Sequence, residues 1–259
     1  MSREDLFRIF ALMRAGIYIT RNRRKPGVAF SPYQICTPDG ITIHCILMGS
    51  NSKQCVIVAH SFGVGSMYKD IVELSELLSE KYSVVNFDFR GHGRSTGVYN
   101  PGFAGVCQDM KTVLKDLRIR GFEKVAVVGF SLGAAAAVLS AADGEELDAL
   151  VCIGCPPRLP EPPGMRTGHV ISRAFLRKIG VRVGQAVEDG PTPEECAPTL
   201  PAIPKFFIFG EIEVFPRADI ESFFEKISEP KEIRFTPGAW HASLQGNEEI
   251  IREWLERHF

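Results

Sequence analysis

The sequence lacks any uninterrupted apolar run of the roughly 18 residues that a membrane-spanning helix needs. Its apolar N-terminal stretch, residues 6–19, is broken by Arg8 and Arg14, and no small-residue cleavage site follows, so a secretory signal is not expected. Charge of one sign is also missing: 30 Lys and Arg stand against 31 Asp and Glu, a formal net charge of −1. Neutralising many phosphates needs a strong basic excess, so no nucleic-acid partner is expected. Metal-ligand spacing is nearly absent. Cys152-Ile153-Gly154-Cys155 is the one CxxC, with no second CxxC or His pair to accompany it. Cys152 lies inside the apolar run 149–153, which favours buried free thiols over a redox or metal pair. The seven cysteines (Cys36, Cys45, Cys55, Cys107, Cys152, Cys155 and Cys196) are odd in number and scattered, so no disulfide framework is implied. They point to a reducing, cytoplasmic location.

What is present is the composition of a globular protein. The chain has 259 residues, 45% hydrophobic and 24% charged, long enough to bury a proper core in one domain spanning 1–259. Residues 3–20 read as an amphipathic helix. Leu6, Phe10, Met13 and Ile17 recur on one side, and the basic run Arg21-Asn22-Arg23-Arg24-Lys25 with Pro26-Gly27 ends it. Residues 1–27 are thus an N-terminal helix and basic linker. This segment either packs on the domain body or makes weak contact with an anionic membrane surface.

From residue 32 onward strands and helices alternate. The runs 33–37 and 41–47 flank Pro38-Asp39-Gly40 and read as a hairpin. Short, continuously apolar runs follow at 55–59, 83–87, 125–128, 149–153 and 206–209, the pattern of strands buried on both faces. Helical stretches at 67–81, 103–118, 131–142, 218–227 and 248–257 separate them. The pattern predicts an α/β fold, a mostly parallel central sheet with helices on both faces, entered through an antiparallel hairpin. One excursion breaks the rhythm: residues 156–200 hold eight of the seventeen prolines and read as a lid insertion, with a helix expected over 173–181. Within it, residues 162–187 carry Arg166, Arg173, Arg177, Lys178 and Arg182 and no acid. This is either a solvated helix face or a patch that reads anionic substrates.

Gly129-Phe130-Ser131-Leu132-Gly133 follows the strand 125–128 and precedes an Ala-rich helix. In that context the flanking glycines let the backbone turn sharply, and Ser131 is presented as a nucleophile at a helix N-terminus. A serine hydroxyl needs a base oriented by a carboxylate. Of six histidines, His241 lies just before the last helix and can reach over the carboxyl edge of the sheet. His44, His60, His92, His169 and His258 read as surface, terminal or loop hydrogen-bonding residues. Beyond the strand 206–209 the acid candidates are Glu211, Glu213 and Asp219. Two backbone amides are needed for an oxyanion hole: Leu132, directly after the nucleophile, and Phe62, in the loop His60-Ser61-Phe62-Gly63-Val64-Gly65.

On these residues the sequence resembles the α/β-hydrolase superfamily from about residue 33 to the C-terminus. His60-Ser61-Phe62-Gly63 is similar to the family's oxyanion loop. Asp88-Phe89-Arg90-Gly91-His92-Gly93-Arg94-Ser95 resembles its D-x-R-G-H-G-x-S loop, typical of monoacylglycerol-lipase-like and S33-like members. Gly129–Gly133 resembles the nucleophile elbow, 210–213 the acid segment and 238–241 the base segment. The resemblance selects Glu213 as the acid, three positions after Gly210. Two departures stand out: Glu213 replaces the usual Asp, and Ser61 replaces the usual Gly after His60. The resemblance further implies the α/β-hydrolase fold, a lid at 156–200 and no metal or organic cofactor.

The function expected is a serine hydrolase cleaving small-molecule or lipid-like carboxylic esters through an acyl-enzyme, a carboxylesterase or lipase-like activity. An acyl thioesterase or an S33-like peptidase would use the same triad. A non-catalytic binding module of the same fold is the alternative from another class.

Overall fold

A computed structural model describes residues 22–49, 51–159, 177, 180–185 and 190–259. The helix expected over 3–20 and nearly all of that expected over 173–181 lie outside these residues, as do Arg166, His169, Arg173 and Lys178. Among the described residues eight strands form one sheet: β1 (Phe30–Cys36), β2 (Thr42–Gly49), β3 (Gln54–Ala59), β4 (Ser83–Phe87), β5 (Lys124–Phe130), β6 (Ala149–Ile153), β7 (Lys205–Ile212) and β8 (Lys231–Trp240). Their order is β1-β2-β4-β3-β5-β6-β7-β8. β1 and β2 form the expected hairpin, Phe30 opposite Met48 and Cys36 opposite Thr42, closed by a turn in which Gly40 takes φ +82°. β2 is also antiparallel to β4, and every pairing from β4 to β8 is parallel.

The connecting helices are α1 (Lys69–Ser79), α2 (Ala104–Ile119), α3 (Leu132–Ala142), the short α4 (Pro193–Cys196), α5 (Arg217–Glu225) and α6 (Glu248–His258). Alternate residues of the strands feed two cores. Ile57, Val85, Val127 and Cys152 pack with Met110 and Val113 of α2, Ala137 of α3 and Phe223 of α5. Val56, Val84, Val128 and Val151 pack on the other face with Leu74 of α1 and with Ile251 and Trp254 of α6. Residues buried on both sides of a sheet must be apolar at every position, which is why these strands read as runs rather than alternations.

The chain moves from β3 outward to β4, then returns across the sheet to β5. Connections therefore diverge from the carboxyl ends of β3 and β5, the place where an open α/β sheet leaves a crevice for a ligand.

Near the serine and the acid the strands run past the ends expected from the sequence. β5 continues through Gly129 and Phe130, which pair with Cys152 and Ile153, so the strand runs up to Ser131 itself. β7 and β8 extend beyond the sheet body to a Ile212–Trp240 pair, past an irregularity between Gly210 and Ile212. Polar residues and Pro237-Gly238 concealed that ribbon, and it brings β8 to the residue before His241.

The insertion is fastened at two described points. At its base Glu194 N–H bonds Pro157 O, Arg158 pairs with Glu194 and Asp219, and Thr192 and Glu195 form a capping box on α4. Farther along, residues 182–184 dock on the loop after β4: Arg182 N–H donates to Gly91 O, Tyr99 N–H to Arg182 O and Gly184 N–H to Tyr99 O, at 2.7–2.9 Å.

Candidate active site

Ser131 sits at the junction of β5 and α3 with φ 46° and ψ −104°, a backbone conformation that side-chain-bearing residues rarely adopt. The flanking glycines make the turn possible. A Cβ on Gly129 would lie 2.5 Å from Ala134 N, and one on Gly133 would lie 2.5 Å from Ala59 O of β3. Ser131 N–H donates to Ile153 O at 2.8 Å, so the elbow is tied to the end of β6 as well.

His241 directly follows β8. Its Nε2 lies 2.9 Å from Ser131 Oγ, and its Nδ1 is hydrogen-bonded to Glu213 Oε2. Glu213 is itself positioned: Oε1 accepts the Gly210 amide at 3.0 Å. A Cβ on Gly210 would lie 2.5 Å from Ala239 O, so a glycine is needed where the acid and base segments cross. The other two acid candidates are engaged elsewhere. Glu211 accepts the Gly238 amide at 2.7 Å, and Asp219 pairs with Arg158. Serine, imidazole and carboxylate residues far apart in the chain thus form one hydrogen-bonded line, the arrangement a serine nucleophile with a general base requires.

Phe62 and Leu132 leave the sheet from adjacent strands, β3 and β5, whose ends are in register at Ala59 and Gly129. Leu132 is the first residue of α3 and has no preceding turn to bond. Among the described residues neither amide has a backbone acceptor. Ser61, the departure at the second position of the loop, contributes its carbonyl, which accepts from His60 Nδ1 at 2.7 Å.

Three groups hold this loop that the sequence reading set aside as structural or did not single out. His60 Nε2 accepts the Phe89 amide at 3.0 Å, His92 Nε2 accepts the Gly63 amide at 3.3 Å, and Asp88 Oδ1 accepts the Ser66 amide at 2.7 Å. All three side chains are buried. Burial, and then neighbouring His60, pushes His92 down to about 3, and burial likewise lowers His60. Burial alone would raise Asp88, but His60 and the amides of Arg94 and Ser66 hold its carboxyl below the usual range. The signal for these roles was already in the Asp88–Ser95 motif, which supplies both Asp88 and His92.

The CxxC pair fits the buried-thiol expectation. Cys152 and Cys155 are both free and buried, and burial followed by Cys155 drives the Cys152 thiol well above its ordinary value. Arg182 departs from both readings of the basic patch: its guanidinium donates to the backbone carbonyls of Ser95 and Gly97, so it anchors the insertion. Phe62, Ile212, Val214 and Trp240 stay exposed on the loops and strand ends that carry the site, an apolar rim. Among the described residues no cluster of His, Cys, Asp and Glu could hold a metal ion, and no helix is long and apolar enough to cross a membrane.

The profile of the alpha/beta hydrolase family matches residues 56–255. A search among curated proteins returns no significant match. Among solved structures the chain is similar to the Pyrococcus furiosus esterase Pf2001, with a TM-score of 0.72 at 21% identity over 89% of this chain and 93% of the other. GrgF from Penicillium sp. sh18, an alpha/beta hydrolase, gives 0.70 at 16% identity over 89% and 99%. XC6422 from Xanthomonas campestris, described as an α/β serine hydrolase without lid, gives 0.64 at 18% over 91% and 97%.

Proposed function

The chain belongs to the alpha/beta hydrolase family, and from that premise we propose that it is a serine hydrolase cleaving carboxylic esters through an acyl-enzyme intermediate. The observation that carries this reading is the hydrogen-bonded line from Ser131 through His241 to Glu213. Ser131 Oγ attacks the ester carbonyl while His241 Nε2 takes its proton. Glu213 fixes the tautomer with hydrogen on Nδ1 and stabilises the imidazolium that forms. The amides of Phe62 and Leu132, with the N-terminus of α3 behind them, hold the negative charge on the carbonyl oxygen. His241 then gives its proton to the departing alcohol, and a water activated by the same imidazole hydrolyses the acyl-Ser131 ester. No step needs a metal or an organic cofactor.

Esterase, rather than another acyl hydrolase, is supported by the similarity to the esterase Pf2001 and by the apolar rim, which favours an apolar, lipid-like ester. On this reading the insertion over 156–200 is the lid, anchored at Arg158 and Arg182. The test is initial rates on p-nitrophenyl esters from acetate to palmitate, for wild type beside Ser131→Ala. We expect the variant to lose at least about a thousandfold in kcat, because a nucleophile cannot be replaced by its neighbours. Hydrolysis surviving in Ser131→Ala would overturn the assignment of the nucleophile. A wild type inactive on every chain length but active on an acyl thioester or a peptide would move the substrate class and keep the mechanism.

A further inference from the structure

Loop 60–66 leaves β3 and turns back into α1. It is pinned by side chains at three backbone atoms. His60 Nδ1 binds Ser61 O, His92 Nε2 accepts Gly63 N–H, and Asp88 Oδ1 accepts Ser66 N–H. Phe62 lies between the first two pins. We propose that His92 is a positioning residue that fixes the Phe62 amide by holding the adjacent Gly63 amide; this rests on the ester-hydrolase reading, in which Phe62 N–H holds the oxyanion.

The geometry makes the His92 ring specific for this task. Nδ1 donates to Arg90 O at 3.0 Å, so Nε2 of the neutral ring carries a lone pair and can accept the Gly63 amide. A protonated ring would present N–H against N–H there. Burial, which holds His92 far below its ordinary value, keeps the ring neutral at any pH where the enzyme would work. The ring is also wedged by Phe62, Tyr99 and His60, with centroids 5.5, 5.8 and 5.1 Å away. Its own base, loop 88–96, is anchored by Arg90 to Asp109 and Asp39 and by residues 182–184 of the insertion. Gly63 is buried, so its amide cannot turn to water if His92 stops accepting it. The peptide would have to rotate to find a partner, carrying the Phe62–Gly63 unit with it.

A residue that merely fills space would be replaced well by Phe, whereas one that accepts a hydrogen bond would be replaced better by Gln. The experiment compares wild type, His92→Phe and His92→Gln on one p-nitrophenyl ester, with phenylboronic acid as a second probe, because its boronate oxygen occupies the oxyanion position. We expect His92→Phe to lose about 10- to 100-fold in kcat with KM changed less than threefold, since a misplaced donor acts on the transition state. Phenylboronic acid affinity should fall with kcat, and His92→Gln should recover most of both. Equal kcat in wild type and His92→Phe would overturn the proposal. So would a loss that His92→Gln shares in full, or one confined to KM, since either marks a structural role alone.

Hydrogen exchange of the Gly63 amide, followed by NMR, needs no substrate. At least tenfold faster exchange in folded His92→Phe supports the clamp, and unchanged exchange overturns it. A wild type that neither hydrolyses esters nor binds phenylboronic acid would overturn the ester-hydrolase reading, and the Gly63 exchange would still decide the clamp.

Discussion

Glu213 uses both carboxylate oxygens, one on the Gly210 amide and one on His241. The extra methylene spans from the end of β7 to the imidazole while the Gly210 contact stops the longer chain from swinging. Shortening it in Glu213→Asp keeps the charge but gives up one of the two contacts; we expect a loss of about 10- to 100-fold in kcat. Glu213→Gln keeps length and shape but loses the anion that stabilises the imidazolium and selects its tautomer, and should cost about 10³- to 10⁴-fold. Glu211→Gln, at a carboxylate that accepts the Gly238 amide rather than a group of the serine–histidine line, should stay within a few-fold of wild type. Steady-state kinetics on the ester used for Ser131→Ala checks the series, and a Glu211→Gln defect as deep as that of Glu213→Gln would show that the acid is misassigned.

At the scale of elements, the insertion distinguishes contacts that matter from contacts that only look numerous. Arg158 makes two ion pairs, to Glu194 and Asp219, but its side chain is 45% exposed, and such pairs contribute under about 1 kcal/mol. Arg182 makes no ion pair among the described residues, yet its guanidinium serves the carbonyls of Ser95 and Gly97, which its removal would leave without that donor. Arg182→Ala should therefore destabilise by about 1–2 kcal/mol, roughly 2–8 °C in Tm, and Arg158→Ala by little. Thermal denaturation of both variants tests this, and the reverse order would refute it. Arg182 also shows where reading the sequence stopped. Its charge and its acid-free neighbourhood suggested a solvated face or a substrate patch, because the carbonyls it serves lie some 85 residues away in the chain. The same limit applies to the β7–β8 ribbon, whose pairing is cross-strand and whose composition is polar. Local signals did better. The apolar strands 83–87 and 149–153 and the serine elbow were legible because each follows from neighbouring residues alone. His241 was legible from its place before the last helix, whereas the grip of His60, His92 and Asp88 on loop 60–66 needed the sheet to bring β3 and β4 together.

For the whole molecule, the same packing that orders the site sets how the fold answers acid. His60 and His92 are buried between the ends of β3 and β4, and both must be neutral to accept the amides they hold. Burial disfavours their charged form, and at His92 neighbouring His60 and Arg182 act in the same direction; Asp88 favours the charged form of both rings, and burial outweighs it. Their folded values lie below the ordinary 6.5, so between the two values the unfolded chain binds more protons than the folded one. Stability is then fully present above pH 6.5 and declines as pH falls toward the folded value, about 3 for His92. Lowering the pH from 7 to 5 should cost about 2 kcal/mol through His92 alone, at 1.4 kcal/mol per pH unit. Asp88, held below the usual carboxylate range, adds its own loss only at lower pH, as its folded form is finally protonated. The acid limb should therefore begin near pH 6.5 rather than near 4. Urea unfolding at pH 7, 6 and 5 measures it, with His92→Gln as the comparison. That variant should lose less stability than wild type over the interval, by about the His92 share. A wild-type stability flat from pH 7 to 5 would mean that the two histidines are not held neutral in the folded protein, and the account of the amide clamp would fall with it.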